Sequence, residues 1–220
     1  MRIVFKKGIF NSIKLHDDVS LAVSFGRIIN ALIMHVRVFE ENHSKNADDL
    51  IANDKIIHAL ILGIAVLFEG IKFVNKKKEI LETLPCYSKH QAGIQKVLDI
   101  VNSHYYKTVM VPIRNKFVFH YDSAIDRELL SNESFDDPVV FMESPTGKRI
   151  DTVYVFSDLL FIDHIVREYG WSGDKWEGFE KICSEFMDLN KLFLVTADSL
   201  IPDLTRDYCI FEDEEVKIAG

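Results

Sequence analysis

The stretch LHDDVSLAVSFGRIINALIMHVRVFEENH, residues 15–43, places apolar side chains at Ala22, Phe25, Ile29, Leu32, Val36 and Phe39. Steps alternating between three and four keep all six on one face of a 3.6-residue turn, which is the pattern of an amphipathic α-helix. Asp17 and Asp18 fall in its first turn and complement the positive end of the helix dipole.

The same period continues downstream. After a polar turn at Ser44 to Asn46, a second helix is predicted from about Ala47 to Lys76, with Leu50, Ile57, Ile61, Ile64, Phe68 and Ile71 on one stripe. The linkage is short, so the two helices are expected to pack antiparallel. Pro85 marks a break, and a third helix reads from about Ser88 through Ile94, Val97, Val101 and Tyr105 into Val109 and Pro112. Beyond a loop at Asn132 to Pro138 the period changes to that of strands. Val139 to Glu143 and Ile150 to Phe156, joined by a turn at Thr146-Gly147, predict a β-hairpin over about 139–156. Ser157 is a candidate N-cap for a helix ended by Gly170, and Asp174 precedes a last long helix carrying Phe179, Ile182, Phe186, Leu189, Phe193, Ala197 and Leu200. Pro202 is expected to stop or kink it. Residues 1–13 read as an extended arm, and the tail from Arg206, with its acidic run Glu212 to Glu215, as a mobile end. The expectation is an all-α antiparallel helical bundle with a small inserted β-hairpin. It forms one domain over 1–220: a helical core at about 15–132, the hairpin at 139–156, and C-terminal helices at 157–205.

The chain has 220 residues, 48% of them hydrophobic and 16 of them Phe, enough to bury a substantial core. The most apolar window, Ile56 to Phe68, is shorter than the ~20 residues a spanning helix needs, so no membrane association is expected. Arg2, Lys6 and Lys7 break up any N-terminal apolar run, and no secretory signal is expected. Cys86, Cys183 and Cys209 are scattered and unpaired in pattern, which suits a reducing, cytoplasmic location. Net charge is −8, unevenly spread: residues 1–120 carry 17 Lys and Arg against 11 Asp and Glu, while 121–220 carry 9 against 23. A basic half suits phosphates, whereas an acidic half repels them and favours a basic partner or simple solubility.

Chemistry is most concentrated in PIRNKFVFHYD, residues 112–122, at the boundary between those halves. Arg114 is a permanently charged planar donor suited to phosphate, and His120 is of the one type that ordinarily exchanges a proton near neutrality. Asn115, Lys116 and Tyr121 are candidates to support them. On a straight helix a six-residue offset turns the side chain by roughly 240°, so Arg114 and His120 converge only if the segment is irregular or two copies meet. Pro112 is a ready source of irregularity. Tyr106 and Tyr121 read as core aromatics or as stacking partners for a base. His58 reads as a hydrogen-bonded core or rim histidine. His90 and His104 have no Cys or carboxylate at ligand spacing, so neither a metal nor a cofactor is expected.

At Arg114, polar Asn115 and, after five intervening positions, His120, the sequence resembles the HEPN superfamily. The wider string Ile113 to Asp122 looks like its abortive-infection branch. The resemblance implies an all-helical core that dimerises to bring two Arg/His motifs to one cleft, and metal-independent RNA cleavage in active members. Arg27 and Asn30, three apart beside Gly26, are either part-exposed polar positions, with Gly26 allowing close packing, or supports of that site from a neighbouring helix.

Gly-rich phosphate loops, Gly-x-Ser-x-Gly elbows and two-metal carboxylate clusters are absent from the sequence. Three readings stand. In the first the protein is an endoribonuclease acting through the RNA 2′-hydroxyl, with a site shared across a homodimer, in a toxin or phage-defence setting and with a possible antitoxin. In the second it is a non-catalytic helical module of the same type that binds a protein or nucleotide. In the third Arg114 is a surface residue or one salt-bridged near Asp122 or Asp126, and His120 is a structural hydrogen bonder.

Overall fold

Asp17 and Asp18 open helix α1 (Asp17–His43) in a computed structural model that describes residues 2–6, 9, 12, 16–43, 49–118, 143–148 and 155–212. Ala22, Phe25, Ile29, Leu32 and Phe39 are all buried, so the three-and-four spacing becomes the core-facing stripe. Helix α2 (Leu50–Lys76) starts behind Asp49, whose carboxylate accepts the Ala52 N–H at 3.0 Å. That cap satisfies an amide with no partner inside the helix, which is why the start lies later than Ala47.

Phe25 meets Phe73 edge-on at 5.3 Å, Ile28 lies against Gly70, and His35 against Gly63. Rising numbers on α1 face falling numbers on α2, the antiparallel pairing that the short linkage predicts. Each of these two helices is long and apolar enough to cross a bilayer, more so than the Ile56 to Phe68 window suggests. Within the fold their buried stripes pack against each other and against the last helix, while Val23, Met34 and Leu62 stay exposed.

That last helix, numbered α7 (Lys175–Thr205), begins at Asp174, whose Oδ1 accepts the N–H groups of Trp176 and Glu177. It runs parallel to α2 on a seven-residue repeat. A Cβ on Gly63 would stand 2.7 Å from Phe186 Cζ, and one on Gly70 2.8 Å from Phe193 Cζ. Glycine at these two places lets the rings seat directly on the α2 backbone. Gly26 has open space around its missing Cβ, so it is not a close-packing point. Helix α7 continues through Pro202 to Thr205 rather than stopping there, because buried Leu200 and Leu204 hold both sides of the one lost hydrogen bond.

Between α2 and α7 the chain forms α3 (Lys78–Thr83), α4 (Tyr87–Asp99), a 3₁₀ turn (Ile100–Asn102), α5 over residues 104–118, and α6 (Val155–Glu168). The third helix is thus not continuous. Ser103 turns to ψ 155°, and its hydroxyl accepts the Tyr106 N–H at 3.1 Å, capping a fresh start. Helix α6 begins at Val155, so the predicted second strand overruns its end and Ser157 lies inside the first turn. Phe161, Ile162, Ile165 and Val166 are buried at helical period, and the helix they belong to extends back to Val155. The end is as predicted: Gly170 takes φ +81°, its N–H reaches Arg167 O at 2.8 Å, and the Trp171 N–H reaches Val166 O at 3.1 Å.

The structure is mostly helical. Its strands among the described residues are short: β1 (Arg2–Phe5) pairs antiparallel with β2 (Cys209–Glu212), Arg2 opposite Glu212 and Phe5 opposite Cys209. Of the expected extended arm, residues 2–5 are extended while Ile9 and Ser12 lie in turns, and the start of the tail is a paired strand. Of the predicted hairpin, the turn is described: Gly147 has φ +71° and donates to Ser144 O at 3.0 Å. The strands flanking it, 139–142 and 149–154, lie outside the described residues.

Candidate functional site

Helix α5 is irregular along most of its length. Two π-helical stretches, Tyr106–Met110 and Ile113–Val118, flank residues 111–112. Pro112 lies between them and supplies no N–H, a direct cause for a register that widens from i−4 to i−5. Tyr105, Val109, Met110 and Ile113 are fully buried, and the Tyr105 hydroxyl donates to Ile182 O of α7 at 3.1 Å. These anchors fix the inner side of α5, and Arg114 follows directly after the last of them.

The Arg114 side chain is 30% exposed, and its guanidinium is held from two directions. Its Nε donates to Glu69 Oε1 of α2 at 2.9 Å, and one Nη donates to its neighbour Asn115 Oδ1 at 3.1 Å. The guanidinium carbon stands 5.9 Å from the centre of the Phe68 ring, which stacks in turn on Tyr106 at 5.3 Å and 18°. Burial, followed by the Glu69 charge, raises the Tyr106 phenol above its ordinary range, so it stays a neutral donor at physiological pH. The result is a cation fixed in direction over an aromatic pair, with a carboxylate on one edge and an amide on the other. An ion pair this exposed contributes only about 0–1 kcal/mol, so its main effect is orientation.

Glu69 is the member of this cluster that sequence reasoning missed. Its signal was a lone acid inside the apolar run Leu67-Phe68-Glu69-Gly70-Ile71, with no other Asp or Glu between Asp54 and Glu79. Of the predicted residues, the structure brings Arg114 and Asn115 together. Lys116 lies in the second π-helical stretch with its side chain outside the described residues, and His120 and Tyr121 lie outside them altogether. Arg27 and Asn30 sit at the height of Gly70 on α1 but face outward, and neither bonds to a described residue. His58 is not a core residue: its side chain is 61% exposed, with Nε2 3.3 Å from Asp54 Oδ1 one turn back. Its sequence neighbours are apolar, but it points off the buried stripe.

Among the described residues no group of His, Cys, Asp and Glu has the makings of a metal site. A cleft of about 740 Å³ opens at the other end of α2, between Asn53, Ile57, Phe39, Trp176 and Phe179. It lies 12 to 16 residues along α2 from Glu69, about 20 Å at the helical rise, and is separate from Arg114. Comparison with protein-family models, curated proteins and solved structures finds no match.

Proposed function

We propose that the protein is a metal-independent endoribonuclease of the HEPN type, with the inserted hairpin added to a HEPN-like bundle and two subunits contributing to one site. The observation that supports it most is the Arg114 guanidinium, partly exposed on a π-helical turn and aimed by Glu69 and Asn115. Departures of this kind from α geometry are found disproportionately at functional positions. A fixed guanidinium is suited to a phosphodiester and to the charge that grows on it during displacement.

In this mechanism the RNA 2′-oxygen attacks the adjacent phosphorus and the bond to the 5′-oxygen breaks. One His120 takes the 2′-hydroxyl proton, and the His120 of a second subunit supplies a proton to the departing 5′-oxygen. Products are a 2′,3′-cyclic phosphate and a 5′-hydroxyl. Lys116 and Tyr121 assist in holding the strand, Arg27 and Asn30 flank it from α1, and no metal is used. The test is cleavage of RNA in EDTA by wild type, Arg114→Ala and His120→Ala, with a strand carrying one 2′-deoxy residue at the cut site. Loss of activity in both variants and resistance of the deoxy position are expected; cleavage undiminished in the variants would refute the assignment.

The Arg114–Glu69 pair also favours a second reading, a non-catalytic module of the same type that binds a protein or nucleotide and in which the pair is a clamp between α2 and α5. On that reading the protein cleaves no RNA, and Arg114→Ala and Glu69→Gln lower stability alike.

A further inference from the structure

The cleft between α1, α2 and α7 lies where the seven-residue repeat joining α2 to α7 breaks. Phe193 seats on the α2 backbone at Gly70, and Phe186 does so at Gly63, one repeat earlier on both helices. One repeat earlier again the pair is Phe179 with Ile56, where no glycine lets the ring in, and both residues line the cleft. The side chains at a contact set how far apart two helices stand. Gly178 adds to the opening: a Cβ there would stand 2.7 Å from Trp171 Cδ1 and 2.7 Å from Val166 Cγ1, so the first turns of α7 seat against the end of α6 instead. The resulting space, about 740 Å³, falls within the ~300–1,000 Å³ usual for small-molecule sites.

Its walls are mostly apolar. Ile57, Phe179 and Cys183 are buried, while Trp176 is 48% exposed and meets Phe179 edge to face at 6.4 Å. Among the described lining residues Glu180 alone carries charge. It is exposed and forms no ion pair with a described residue. Burial, followed by the Glu180 charge, pushes the Cys183 thiol up to about 12, so that wall stays neutral at physiological pH. Trp176 and Glu180 are four apart on α7 and so are neighbours on its surface. Lys175 does not line the cleft; its Nζ stands 6.0 Å from the centre of the Trp176 ring, the outer limit of a cation–π contact, and competes little for that ring. A nucleotide or a fatty acid would bring negative charge to a carboxylate with no described lining cation to meet it. A cationic ligand gains from both the carboxylate and the aromatic face.

We propose that this cleft is a binding site for a small amphipathic amine, its apolar body between Ile56, Phe179 and Met187 and its ammonium between Glu180 and the Trp176 ring. The site shares no residue with the Arg114 cluster, and the inference is independent of the nuclease reading.

The test is titration of the full chain with n-octylamine, 1-octanol and octanoate near neutral pH, followed by amide ¹H–¹⁵N shifts. Shifts are expected at residues 53–57 and 176–187 and not around Glu69 and Arg114. The amine should bind about tenfold tighter than 1-octanol, as one exposed ion pair and one cation–π contact together allow, with octanoate weakest. Glu180→Gln should cut that preference to about threefold or less, the share of the aromatic face, and leave 1-octanol binding as it was. Ser184→Trp, which fills the cleft from an exposed position, should abolish binding of all three. No shifts at the cleft, 1-octanol or octanoate binding as tightly as the amine, a preference undiminished in Glu180→Gln, or binding that persists in Ser184→Trp overturns the proposal. Should Ser184→Trp not fold, the map of shifts and the Glu180→Gln comparison decide.

Discussion

Arg114 donates its Nε hydrogen to Glu69 across 2.9 Å, tying the irregular helix α5 to the C-terminal third of α2. With Glu69 44% exposed, the carboxylate does more for direction than for stability. Arg114→Ala is expected to lower RNA cleavage about 100-fold or more, the size of effect seen when one donor to a developing oxyanion is removed. Its cost in chemical denaturation should be below about 1 kcal/mol. Glu69→Gln, which keeps an oxygen for Nε, should lose far less activity than Glu69→Ala. A double-mutant cycle in denaturant checks the coupling.

Two alanine substitutions of helical glycine should act in opposite directions. Gly63→Ala puts a Cβ 2.7 Å from the ring of Phe186, a side chain only 1% exposed with nowhere to retreat, and is expected to cost about 1–3 kcal/mol. Gly26→Ala meets open space and should gain up to about 1 kcal/mol from helix propensity alone. Urea midpoints of the two variants against wild type measure both.

Asn190 is 2% exposed, and its Oδ1 has no hydrogen-bond partner among the described residues. It lies on the buried face of α7 between Phe186 and Phe193. Asn190→Leu relieves that desolvated amide and is expected to be neutral or stabilising by about 1–2 kcal/mol. Thermal unfolding of the variant gives the answer.

Burial, followed by the nearby Glu180 charge, pushes the Cys183 thiol up to about 12. A group whose folded value is raised contributes stability in full below its unfolded value of 9.0 and loses it as pH climbs through the folded one. The advantage of wild type over Cys183→Ala should accordingly shrink between about pH 9 and about pH 12, by at most ~1.4 kcal/mol per pH unit. At pH 8 the thiol should react with a disulfide reagent only in denaturant.

The long helices were legible because a period of three and four is written by the residues that the core must bury. Phe25, Ile29 and Leu32, or Phe186 and Phe193, announce their own face. Less legible were features decided by one polar contact. The break at Ser103 depends on a hydroxyl capping the Tyr106 amide, and the start of α2 depends on Asp49 rather than on the apolar pattern. At the end of the predicted second strand, residues 155–156 belong to α6 instead, because β-branched and aromatic residues serve either element when short and the buried helical register of Phe161 to Val166 prevailed there. At the candidate site the sequence pointed to Arg114 and to irregularity at Pro112. Glu69, forty-five positions earlier, reaches Arg114 only through the tertiary packing of α5 on α2.

The pairing of β1 with β2 sets how the molecule responds to mechanical load. Arg2 faces Glu212 at the outer end of the ribbon and Phe5 faces Cys209 at the inner end. Tension applied at residues 2 and 212 would open these pairs one after another, as in a zipper, from Arg2–Glu212 inward. Only after the last pair parted would pulling reach α1 and α7.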